Sequence, residues 1–138
     1  MNCTFFGHKD TSFLIYEKLQ DTIEFLIKEK DVTHFYIGNH GNFDAMALRC
    51  LINLKEKHPY ITFEIVLAYL PEKPTPYPTL YPEGIEKTPQ RFAISFRNKW
   101  MVNHSDYIIS HITRDFGGAQ QFVSLAERQG KTVINITQ

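Results

Sequence analysis

Short apolar runs that stop at a glycine or a turn alternate along this chain with stretches whose apolar residues recur every three or four positions. That alternation constrains the fold more tightly than any other feature. Cys3–Gly7 ("CTFFG") and His34–Gly38 ("HFYIG") read as strands closed by glycine. Ile61–Leu70 is the most continuously apolar strand, and Asp106–Ile112 and Thr132–Thr137 supply two more. Between them, Tyr16, Leu19, Ile23, Leu26 and Ile27 mark one face of a helix over 12–30, with Asp10, Thr11 or Ser12 as its N-cap. Phe43, Ala47, Cys50, Leu51 and Leu54 mark a second helix over 43–57, with Pro59 just past its end. A third runs over 91–104 with Phe92, Phe96, Trp100 and Met101 apolar, and a fourth over 118–129 ends at Gly130. Strands separated by helices predict an α/β fold, here a Rossmann-like three-layer α/β/α arrangement with a mainly parallel five-stranded sheet. The 138 residues suit one domain spanning 1–138.

Pro71–Gln90 breaks the pattern, because it holds six of the seven prolines, with Tyr77 and Tyr81 between them. Proline fixes φ and removes a backbone donor, so this proline-rich insertion loop, 71–90, is neither helix nor central strand. A connection of that length serves as a lid over a site, or else as a surface excursion or subunit contact.

Hydrophobic residues make up 43% of the chain and charged ones 22%, the balance of a soluble globular protein. Runs such as "IVLAYL" are too short to span a bilayer, no signal-peptide pattern opens the chain, and a cytoplasmic protein with no membrane partner is expected. Cys3 and Cys50 lack metal or redox spacing and read as two reduced, buried thiols. The six histidines show no zinc-ligand spacing, so no metal site is expected. His34 and His111 fall on strands, hydrogen-bonded or edge-facing, and His58 caps a helix end.

In an open parallel sheet, ligands bind beyond the carboxyl ends of the strands, where strand order reverses. Three such ends carry glycine: Gly7-His8-Lys9, Gly38-Asn39-His40-Gly41 and Gly117-Gly118-Ala119. Glycine lets a backbone approach a phosphate, and the helix N-terminus that follows adds unpaired N–H groups and a favourable dipole. These turns are expected to form one anion or nucleotide site. Neither G-x-G-x-x-G nor a Walker A sequence is present. His8 and His40 either face that ligand or hydrogen-bond within their turns. Asp44 either joins the site or serves as an N-cap. Arg97, beside Asn98 on the third helix, pairs with a phosphate or carboxylate of the ligand, or forms an internal ion pair with Asp106 or Asp115.

"GHKD" after the first strand, the Gly-rich turn with Asp44, "RNKWMVNHSDYIIS" and "GGAQQFVSLAERQGKTVINI" together resemble the YpsA-like branch of the SLOG superfamily. That Rossmann-like group contains the DNA-processing protein DprA and the Lonely-guy phosphoribohydrolases. The resemblance spans nearly the whole chain and is clearest from Arg97 to Ile136. It implies a nucleotide or nucleotide-derived ligand at the carboxyl edge of the sheet, in a sensor or regulatory role, and often a homodimer. Lonely-guy enzymes place an arginine on the helix before the fourth strand, which Arg97 resembles. They also carry Gly-Gly-x-Gly-Thr followed by a catalytic glutamate. Here the stretch from Gly117 to Ser124 has no carboxylate, and Glu127 lies about one turn further along the helix surface. A hydrolase cleaving an N-glycosidic or phosphate bond, with Arg97 as its catalytic residue, is therefore the alternative and lacks that glutamate. A DNA-processing-like nucleic-acid or protein adaptor is the second alternative. Fifteen basic residues balance fifteen acidic ones, so a small nucleotide-like molecule, rather than nucleic acid on a broad basic face, is the expected partner.

Overall fold

The computed structural model describes residues 1–70, 73–114 and 118–137. Strands β1 (Asn2–Gly7), β2 (His34–Ile37), β3 (Thr62–Val66), β4 (Thr79–Leu80), β5 (Tyr107–His111) and β6 (Thr132–Asn135) form one sheet in the order β4-β3-β2-β1-β5-β6. Every neighbouring pair is parallel. Helices α1 (Tyr16–Glu29) and α2 (Asn42–Lys57) pack on one face, and α3 (Ala93–Asn103) and α4 (Gly118–Arg128) on the other. The Rossmann-like α/β arrangement is thus present, with six strands where five were expected. The extra strand is β4, which lies inside the proline-rich stretch. It has two residues and sits at the sheet edge, where missing donors cost nothing on the solvent side.

β1 shows why the sheet is buried on both faces. Cys3 and Phe5 face α1 and α2, while Thr4 and Phe6 face α3 and α4. The first of these cores takes Leu19, Ile23, Leu26 and Ile27 from α1 and Phe43, Ala47, Cys50, Leu51 and Leu54 from α2, the faces the three-to-four spacing picks out. Burying one such side chain contributes roughly 1.5–3 kcal/mol. Burial pushes the Cys50 thiol up to about 12 and the Cys3 thiol higher still, so both remain protonated. Ser12 caps a 3₁₀ turn over Phe13–Ile15 ahead of α1, its Oγ accepting from the Leu14 N–H at 3.2 Å. Gly130 ends α4 at φ +76°.

Two helix assignments differ from expectation. α3 buries Ala93, Arg97, Met101 and Val102, while Phe92 is half-exposed and Phe96 and Trp100 are only partly covered. The aromatic residues suggested one phase for this helix, and the structure adopts another with an arginine at its centre. His58 follows α2, but its ring bonds to Glu24 Oε2 on α1 at 2.8 Å, alongside Lys57 at 3.0 Å, so it joins two helices as well as ending one.

Candidate functional site

The strand order places β1 between β2 and β5. From β1 the chain adds strands outward through β2 and β3 to β4, then returns to the opposite side of β1 for β5 and β6. The reversal leaves a crevice at the carboxyl ends of β1 and β5. A cleft of about 460 Å³ opens there. Gly7, His8 and Lys9 from the turn after β1 line it, with His40 and Asp44 from the turn into α2, Arg97 and Asn98 from α3, and Gly118 and Ala119 from the start of α4. Nine of the expected residues therefore share one cavity. Gly38, Asn39 and Gly41 do not line it, and Gly117 lies outside the described residues.

The glycines serve packing first. A Cβ at Gly7 would sit 2.3 Å from Phe43 Cγ, so only glycine lets α2 close against the end of β1. At Gly38 a Cβ would lie 2.6 Å from Asp44 Oδ2 and 3.1 Å from Arg97 Nη1, so its bareness makes room for both side chains. Gly41 has φ +90° and carries its α-carbon against Lys9, whose carbonyl accepts from the Asn42 N–H at 2.8 Å. The first two turns are thereby locked together. Gly118 differs, because among the described residues nothing lies within 4 Å of a Cβ placed there, where α4 begins at the cleft.

Arg97 is the centre of the site. It is 2% exposed, and among the described residues no carboxylate oxygen lies within 4 Å of it. Its Nε donates to Asn98 Oδ1 at 2.7 Å, and Nη1 donates to the Val66 carbonyl at 3.0 Å and to Asn39 Oδ1 at 3.3 Å. Nη2 donates to His40 Nδ1 at 3.2 Å. A guanidinium carries five N–H donors, so among the described residues one on Nη2 is left over at the cleft wall. Neutral acceptors hold the group in position without cancelling its charge. Burial lowers its pKa, and the nearby Asp44 carboxylate opposes that. The expected partner Asp106 instead accepts from the Asn2 N–H at 2.9 Å, so no ion pair forms there. Asp115 lies outside the described residues.

Asp44 occupies the first turn of α2 behind the N-cap Gly41, and its Oδ2 accepts from the His40 N–H at 3.0 Å. It therefore anchors the turn as well as lining the cleft. Burial pushes its carboxyl up to about 6, against the pull of that N–H and of Arg97. Because Arg97 only donates, His40 Nδ1 must accept, which leaves the imidazole neutral with its proton on Nε2. Burial and the neighbouring Arg97 and Lys9 hold its pKa below the ordinary value. His8 Nε2 accepts from the Thr113 N–H at 3.1 Å, which ties the turn after β1 to the turn after β5 and places the proton on Nδ1. Burial, then Arg114, depresses its pKa.

The sequence reading took Asp10 only as a candidate N-cap and overlooked Arg114, and both also line the cleft. Arg114 Nη2 and Nη1 reach Asp10 Oδ1 and Oδ2 at 3.2 and 3.4 Å. The available signal was an arginine three residues beyond a strand end. The lid expectation is corrected: among the described residues, none from 73 to 90 lines the cleft. Tyr77 packs on Phe63, 6.0 Å between ring centroids, and Ile85 is buried with Ala68 and Ala93, so the loop covers the sheet edge instead. His34 bonds to Thr62 and Glu64 on the neighbouring strand, while His111 stacks on Phe43 and its Nδ1 has no partner among the described residues. No group of His, Cys, Asp and Glu among the described residues is arranged to hold a metal ion. No described helix is long and apolar enough to cross a membrane.

No protein-family model matches the sequence, and no curated protein matches it significantly. By fold, the chain is similar to DNA processing protein A of Helicobacter pylori, solved for its single-stranded DNA binding. The TM-score is 0.64 at 14% identity, with 96% of this chain and 63% of that one covered. This chain thus spans less than two thirds of the neighbour's length. The likeness establishes the Rossmann-like fold. It also overturns the exclusion of nucleic acid drawn from balanced charge, because this neighbour of the same fold is a single-stranded DNA binder. The physical reason lies in placement. Net charge does not say where cations gather, and in this chain of no net charge Lys9, Arg97 and Arg114 line one cleft together with Asp10 and Asp44.

Proposed function

We propose that this chain binds single-stranded nucleic acid through the cleft at the carboxyl ends of β1 and β5. One backbone phosphate is held there by Arg97, Lys9 and the N-terminus of α4. The observation that carries the reading is Arg97, a buried guanidinium held by neutral acceptors with a donor to spare beside an open cavity. The structural neighbour's single-stranded DNA binding favours a strand as the bearer of that phosphate. The cleft's size also favours a free nucleotide as a second reading, since about 460 Å³ accommodates one nucleotide unit. Within this proposal the chain is a SLOG-type domain of the YpsA-like branch, acting by binding, as a homodimer.

Fluorescence anisotropy with labelled oligodeoxythymidylate, and calorimetry with mononucleotides, separate the two bearers. The expected result is salt-dependent binding of the strand, weakened roughly tenfold or more in Arg97→Met, since hydrogen bonds to charged groups contribute about 1.5–3 kcal/mol. Tight mononucleotide binding with no added affinity for the strand selects the second reading. Failure of the folded wild type to bind either overturns the proposal.

A further inference from the structure

A second cavity adjoins the cleft on the far side of Arg114, at the carboxyl ends of β5 and β6 under α4, with a volume of about 450 Å³. Ser110, Thr113, Gln120, Glu127 and Asn135 line it, and Arg114 lines both cavities. Ser110 is the informative member. It is wholly buried on β5, and its Oγ has no hydrogen-bond partner among the described residues. Leaving a buried hydroxyl unbonded costs about 1–3 kcal/mol, and Ser110 is among the residues that line this cavity. Asn135 Oδ1 already accepts from Thr137, so the amide presents its donors, and Gln120 Nε2 donates to Ser124, so its oxygen remains an acceptor. Glu127 adds an exposed carboxylate that pairs with no cation among the described residues. The first cavity is built around a buried cation, whereas this one mixes neutral donors and acceptors with a negative charge.

We infer that this polar cavity is a base subsite, taking a nucleobase with an exocyclic amine while the adjoining cleft holds a phosphate of the same strand. The inference rests on the nucleic-acid reading above. Glu127 would repel a second phosphate, yet a carboxylate accepts well from the amine of cytosine, adenine or guanine. Thymine offers carbonyl oxygens at the corresponding edge and is disfavoured there. Arg114, shared between the cavities, lies where the phosphate and the base are joined.

The test is anisotropy with three labelled single strands of equal length, one abasic, one of thymine and one of cytosine. The wild type is expected to bind cytosine at least about fivefold more tightly than thymine, with the abasic strand weakest but measurable. Glu127→Gln, at an exposed position, is expected to erase that preference while keeping the abasic affinity, and Ser110→Ala to weaken only the base-bearing strands. Equal affinity for abasic and base-bearing strands overturns the subsite and leaves the phosphate cleft standing. A preference that survives in Glu127→Gln also overturns it. Loss of all three strands in the wild type refutes the phosphate cleft instead.

Discussion

Toward α1 and α2 the sheet presents Cys3, Phe5, Phe35, Ile37 and Ile109, all essentially inaccessible to water and packed on an apolar helix stripe. Toward α3 and α4 it presents Thr4, Phe6, Ile108 and Ser110, and the guanidinium of Arg97 descends to the Val66 carbonyl from the helix that covers it. Each buried polar group on this second face costs desolvation that an apolar residue would avoid. A fold selected for packing alone would fill both faces alike. One side of the sheet is packed with apolar groups throughout, while the other joins an apolar core to buried polar groups that cost stability near the strand ends.

The largest expected break in this comparison is on the apolar face. Phe35→Ala removes a ring that stacks on Phe5 at 6.2 Å, wholly buried under two helices. The expected loss is about 3–5 kcal/mol, a large share of a domain's total stability. Chemical denaturation measures it, and the fraction that remains folded should bind its ligand with wild-type affinity. A loss below about 1 kcal/mol would show that the two faces are not distinct in this way.

That asymmetry explains what the sequence disclosed. The α1 and α2 stripes were legible because apolar periodicity and burial coincide on that face. The glycine turns were legible as a set, since Gly7, His40 and Gly118 do meet, although the reason for two of the glycines was not. Gly7 yields to Phe43 and Gly38 to Asp44 and Arg97, contacts between residues far apart in the chain that no local pattern encodes. α3 was misread in phase because its aromatic residues outweighed Ala93 and Val102, which are buried with the arginine and Met101. Arg114 was missed because a lone arginine after a strand has no signature until its neighbours are in place, and β4 because two residues among prolines carry no periodicity.

Gly38→Ala should act on the second face with a smaller effect. The added methyl would stand 2.6 Å from Asp44 Oδ2 and 3.1 Å from Arg97 Nη1, displacing both from their bonds to the His40 N–H and the Val66 carbonyl. Overpacking of this kind costs roughly 1–3 kcal/mol. Phosphate affinity should fall alongside, in contrast to Phe35→Ala. Unchanged affinity in a folded Gly38→Ala protein, measured by calorimetry, would separate the Arg97 arrangement from ligand binding.

The smallest effect expected, and the sharpest, belongs to Asp44→Asn. The Asp44 carboxyl is raised in the folded protein from 3.8 to about 6, so folding favours its neutral form. The stability this contributes is fully present below pH 3.8 and is lost as pH rises through 6. An amide at the same position never pays that loss, and its oxygen can still accept from the His40 N–H. The variant should therefore match the wild type at low pH and exceed it above pH 6. The difference should be about 1 kcal/mol, because part of the carboxyl remains in water. His8, His40 and His111 carry depressed values and withdraw stability as pH falls through their range, but they do so equally in both proteins. Subtracting the two melting profiles thus isolates the carboxylate. Since the same negative charge faces the cleft, wild-type phosphate affinity should rise as pH falls through 6, and the variant's should stay flatter. A parallel rise in both would assign the pH response to the histidines and remove Asp44 from the site's electrostatics.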